Sequence, residues 1–161
     1  MLRCTGRNAL MLPQAPNPLN ASPLIFPALE CIHIIGFTLS VGTIALLDFR
    51  LLGLGLTRHP AAELAQDLAP WTLVGLAIML LSGPAMFSSD PDMYYLNGAF
   101  QIKMVALLIA IVFNYTIHRK VAAQDASTGG AKVVACISLT LWTSIILCGI
   151  FIGFVGDAIP R

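Results

Sequence analysis

Four runs of apolar residues, each near twenty long and separated by short polar connections, constrain this chain more than any other feature. A bilayer core of ~30 Å needs about 20 apolar helical residues to cross it. The sequence therefore predicts an all-α fold, an antiparallel four-helix transmembrane bundle, with helices near 27–54, 69–88, 99–119 and 133–155. The connections "TRHPAAELAQDLAP", "SSDPDMYYLNG" and "RKVAAQDASTGGA" are polar, turn-rich and short enough to make successive helices antiparallel. Barrel strands would alternate over about ten residues, and no such pattern occurs.

Composition agrees. Only 11% of the 161 residues are charged, where a soluble domain carries about 25%, and mean hydropathy is +0.83. A net charge of +1 without a basic, aromatic-interleaved run excludes nucleic acid as a partner. Cys4, Cys31, Cys136 and Cys148 are scattered, with no CxxC or CxxCH. Motifs of common hydrolases, zinc proteases and nucleotide-binding enzymes are missing too, so the chain reads as non-enzymatic. Residues 1–22 are Pro- and Asn-rich and read as a disordered or surface-lying tail ahead of a single domain over 23–157.

Lys and Arg set the expected orientation. The first and third connections and the adjoining helix ends hold Arg50, Arg58, Arg119, Lys120 and Lys132, whereas the second holds Asp90 and Asp92. Loops one and three are thus expected in the cytoplasm and both termini outside it, although Arg3 and Arg7 pull the other way. This is the pattern of a multi-pass protein of a bacterial inner membrane, with the lipid bilayer as first partner. A homo-oligomer or a larger membrane complex is consistent with so small and apolar a chain.

Polar residues inside the runs fall at matched depths. At 1.5 Å per residue, Glu30 lies ~5 Å below the outer end of the first helix, His33 ~9 Å, and Lys103 of the third helix ~6 Å. Helix 2 brings Ser82-Gly83-Pro84 to that level, with Pro84 breaking a helical hydrogen bond. Glu30, His33, Phe37, Ser40, Ile44 and Asp48 share one helical face, and Lys103, Leu107, Ala110, Asn114 and His118 another. Two clusters are expected. The outer one is Glu30, His33 and Lys103, with Glu30 and Lys103 as an ion pair. The inner one is Asp48, Arg50, Asn114 and His118. Such residues are costly in hydrocarbon unless paired, and face the bundle interior. Two readings of the outer cluster stand side by side: a functional site, or a satisfied pair that fixes helix packing with Lys103 snorkelling outward.

Three chemistries suit these residue types. Haem b would take His33 as a ligand, with Lys103, Met86, Met104 or an open position opposite. His118 lies ~20 Å deeper and cannot share the iron. Copper suits the soft groups Cys31, His33, Met86, Met104 and Cys148 of the outer half, although Cys31 and His33 point about 200° apart on their helix. A proton or ion carrier would use the Glu, His, Lys and Asp side chains, with Ser138, Thr140, Thr143 and Ser144 of helix 4 lining a path or bonding back to their own helix.

The segments "LLDFRLLGLG", "APWTLVGLAIMLLSG", "NGAFQIKM", "FNYTIHRK" and "SLTLW" occur in an order that resembles a family of small bacterial four-helix integral membrane proteins, classed as a domain of unknown function. The resemblance covers about residues 24–155. In architecture it is similar to the membrane part of copper resistance protein D and to small cytochrome-b-type bundles. It implies that Glu30, His33, Asp48, Arg50, Trp71, Lys103, Asn114, His118 and Trp142 belong to the family's motifs. It also implies a Gly-Arg pair near the outer end of helix 4, where this chain reads "CGIFIGF" and so lacks one cation. A membrane subunit for redox or metal handling, an ion carrier and a structural assembly subunit are the functions left open.

Overall fold

The computed structural model describes residues 22–56, 58–124 and 129–158, and these are helical with no strand among them. The expected N-terminal tail falls almost wholly on residues 1–21, outside the described residues. The helices are α1 (Ile25–Leu52), α2 (Ala61–Phe87), the short α3 (Pro91–Tyr95), α4 (Gly98–Phe113), α5 (Arg119–Ala123) and α6 (Gly129–Ala158). A π-helical turn, Asn114–His118, joins α4 to α5. Four spans are long and apolar enough to cross a membrane: Ile25–Leu52, Ala61–Phe87, Gly98–Ala123 and Gly129–Phe154.

Local chemistry sets most of the ends. α1 stops at Gly53, whose φ of 79° only glycine adopts freely, and Leu54 N–H reaches back to the Phe49 carbonyl. Asp90 caps α3 through Met93 N–H, and Pro91 supplies a preset φ at its first position. Asn97 caps α4 by accepting from the N–H groups of Ala99 and Phe100.

Several boundaries differ from the sequence expectation, the third span also running on to Ala123 and α6 to Ala158. α2 begins at Ala61, right after Pro60, so most of the polar stretch expected as a loop is helix and Pro70 lies inside it. Glu63, Gln66 and Asp67 make that stretch look like a loop, but a polar first turn is ordinary where a helix leaves an apolar layer. α6 likewise starts at Gly129 rather than near 133.

α1 and α2 pack through small residues. A Cβ on Gly75 would lie 2.5 Å from the Ser40 nitrogen and 2.6 Å from the Gly36 oxygen, and one on Gly36 would meet Ile78 at 2.6 Å. Only glycine permits this approach. The Thr43 and Thr72 hydroxyls, 2.8 Å apart, close the seam lower down. α6 packs on both α1 and α4, and α5 packs on α2, while α1 and α4 scarcely touch. Ile44, Leu76, Met79, Leu107, Ala110, Trp142 and Ile145 form the central apolar core. Large apolar side chains such as Ile35, Leu81, Leu108 and Phe154 stay exposed on the outer faces, where a bilayer would cover them.

Candidate functional site

The central core separates two polar sites. On one side of it, His33 Nδ1 lies 2.8 Å from Ser82 Oγ. Ser82 has one hydroxyl hydrogen, and its Oγ is 2.6 Å from the Ile78 carbonyl. Two oxygens come that close only with a proton between them, so Ser82 donates to Ile78 and accepts from His33. That places a proton on Nδ1, the kind of second-shell hydrogen bond that orients a ligating histidine, and the Met79 backbone also bonds this ring.

His33 lies on the wall of a cavity of about 420 Å³, within the range of small-molecule and cofactor sites. Met79, Met86, Met104, Leu107 and Lys103 line it as well. Phe87, Tyr94 and Phe100 form an aromatic cluster on the same wall, with ring centroids 5.5–6.1 Å apart. A wider, more open cleft of about 850 Å³ shares His33, Met86, Tyr94 and Lys103 and adds Glu30 and Asp90. Burial, then the nearby Glu30 and Asp90 carboxylates, push the Tyr94 phenol above its ordinary range.

The expected Glu30–Lys103 ion pair does not form. Glu30 is exposed, and the one ion pair among the described residues joins Asp48 to His118. Matched depth is not proximity: α1 and α4 face each other across the cavity rather than packing together. Lys103 instead reaches toward α6, where a Cβ on Gly149 would come within 3.3 Å of its Nζ.

The inner site is compact. Asp48 Oδ1 and His118 Nε2 share a proton at 2.6 Å, and Ser138 Oγ donates to Asp48 Oδ2 at 2.7 Å. All three side chains are at most 1% exposed, and His118 Nδ1 has no hydrogen-bond partner among the described residues. The spacing Ala110, Asn114, His118, Ala122 turns about 40° too far at each step of a regular α-helix. The π turn takes up that drift and keeps Asn114, His118 and Ala122 buried. Arg50, expected in this cluster, is not part of it. Its Nε donates to the His59 carbonyl at 2.6 Å and ties the end of α1 to the following loop, because it sits half a turn away from Asp48.

Both sites fall within a single matching region. A family of unknown function, designated DUF6644, matches residues 25–155. The chain belongs to that family. No curated protein matches the chain, and no solved structure does.

Within this DUF6644 chain, His33, Lys103, Met86 and Met104 do meet around one cavity, and Asp48 does meet His118. Asn114 is buried beside them on the π turn. Ser82, Gly149 and Ser138 take part without having been singled out for those roles. Ser82 lies level with His33, in the "SGP" turn where Pro84 removes a helical hydrogen bond. Ser138 differs from Thr140 and Ser144, which bond back to their own helix at 2.8 Å. Among the described residues no three His, Cys, Asp or Glu side chains gather as a metal would require.

Proposed function

We propose that this protein is a multi-pass protein of the bacterial inner membrane, an antiparallel four-helix bundle with both termini outside the cytoplasm. In this reading it holds a haem b on His33 as a membrane subunit for redox handling. The observation that supports it is the Ser82 lock on His33, whose ring lines a cavity of ligand size. Met86 or Met104 would be the second residue to hold the iron, a His/Met set that raises an iron's potential. Bound there, haem would supply one-electron chemistry. The residues of this chain fix the imidazole, exclude water with the aromatic wall, and place a cation beside the cavity.

Copper on His33, Met86 and Met104 fits less well, because a bare cation there would sit in the same cavity as the Lys103 ammonium. A proton or ion path would have to cross the apolar core between the two sites. Against a purely structural assembly role stands the size of the cavity.

The test is the absorption spectrum of protein expressed with haem available, oxidised and then reduced with dithionite. A Soret band that shifts on reduction and vanishes in His33→Ala is expected. Ser82→Ala should weaken haem retention by about 10–100-fold, the usual effect of losing such a partner. A folded protein with no Soret band, or a band indifferent to His33→Ala, would overturn the reading.

A further inference from the structure

We infer that the outer cavity takes an amphipathic acid, and that Lys103 recognises its acidic group. The inference rests on the cavity being a ligand site, and deepens it by naming the chemistry of the ligand. Lys103 lines both the 420 Å³ cavity and the wider cleft, and no carboxylate among the described residues comes within ion-pair distance of it. Glu30 and Asp90 line the wider cleft but not the apolar cavity. Gly149 lets Nζ approach the backbone of α6: a Cβ there would stand 3.3 Å from Nζ and shift it by a few tenths of an ångström, and a bulkier side chain by more. An ammonium held in an apolar wall calls for an anion, and within the apolar cavity none of the described residues supplies one.

The rest of the wall specifies the body of that anion. Met79, Phe87, Phe100, Leu107 and Ile145 offer an apolar surface, suited to rings or an acyl chain rather than to a small hydrated ion. A carboxylate on such a body can come from the propionates of a tetrapyrrole or from a fatty acid. Both present the same group to Lys103, through a charge-assisted hydrogen bond.

The experiment compares each acid with its ester on the full chain in lipid nanodiscs. Haem is set against haem dimethyl ester, and palmitate against methyl palmitate, with bound fractions read by native mass spectrometry. In the wild type and in Lys103→Arg, one acid is expected to bind about tenfold tighter than its ester. In Lys103→Met that preference disappears while the ester binds as before. Gly149→Val, which keeps the charge but fills the space of Nζ, should also reduce it, and this keeps the inference testable if Lys103→Met does not fold. Preference within the haem pair identifies a tetrapyrrole, and preference within the acyl pair a fatty acid. Equal binding of acid and ester, a preference that survives Lys103→Met, or binding of none of the four would overturn the inference. Palmitate preference without any Soret band would sink the haem reading and leave this one standing.

Discussion

The Asp48–His118–Ser138 cluster allows a quantitative test. Replacing His118 with Leu removes one partner of a buried ion pair and leaves the Asp48 carboxylate with the Ser138 hydroxyl alone. Breaking a buried pair in this way costs about 3–5 kcal/mol. Ser138→Ala removes a single hydrogen bond to the same carboxylate. Interhelical hydrogen bonds in membranes average about 0.6 kcal/mol and reach about 1.7, so a loss within that range is expected. The double variant Asp48→Leu, His118→Leu strands no charge, and Ser138 can bond back to its own helix. It should be more stable than His118→Leu alone. With Asp48→Leu added as the second single variant, reversible unfolding in mixed bicelles measures all five proteins and gives the Asp48–His118 coupling as a double-mutant cycle. If His118→Leu costs no more than Ser138→Ala, or if the double variant loses the sum of the two singles, the carboxylate is not held by this pair.

Other expectations follow from single contacts. Gly75→Ala places a Cβ against Ser40 and Gly36 backbone and should lose at least about 1–3 kcal/mol by overpacking. Gly42→Ala has nothing within 4 Å and should be neutral or gain up to about 1 kcal/mol of helix propensity; similar melting of the two variants would contradict the close α1–α2 seam. Asn97→Ala removes both the cap of α4 and a 3.0 Å bond to the Ile152 carbonyl of α6, so unfolding should ease by about 1–2 kcal/mol, and an unchanged stability would refute that link. The raised Tyr94 phenol contributes stability that is present below its ordinary value of 10.0 and is lost as pH climbs past it, because the unfolded chain gives up the proton first. Thermal scans through that alkaline range should therefore fall less steeply for Tyr94→Phe than for the wild type, and identical slopes would count against the burial of this ring.

Much of the site was legible because depth is a one-dimensional quantity. Counting rise per residue from the ends of apolar runs put His33 level with Lys103, and Asp48 level with Asn114 and His118. Burial followed from the same logic, since a polar face on an apolar helix turns inward. The errors all concern direction around the helix axis or choice of neighbour. Glu30 has the right depth but lies on the open side of α1, and Arg50 is two residues past Asp48 and thus on another face. Ser138 was hidden among hydroxyls that bond back locally, and no local pattern distinguishes it from Thr140.

The sequence by itself determined four apolar spans, their polar levels and the residues able to do chemistry, because the bilayer's thickness and the helix rise leave little freedom in either. Only the tertiary structure decided who meets whom. The glycine seam draws α1 onto α2 and lets Ser82 accept from His33 Nδ1. α6, packed on both α1 and α4, brings Ser138 to Asp48 and opens a space at Gly149 for Lys103. The sparse contact between α1 and α4 leaves a cavity where the expected ion pair would have closed it. Those outcomes depend on helix azimuth and packing order, which a linear pattern of apolar and polar residues does not encode.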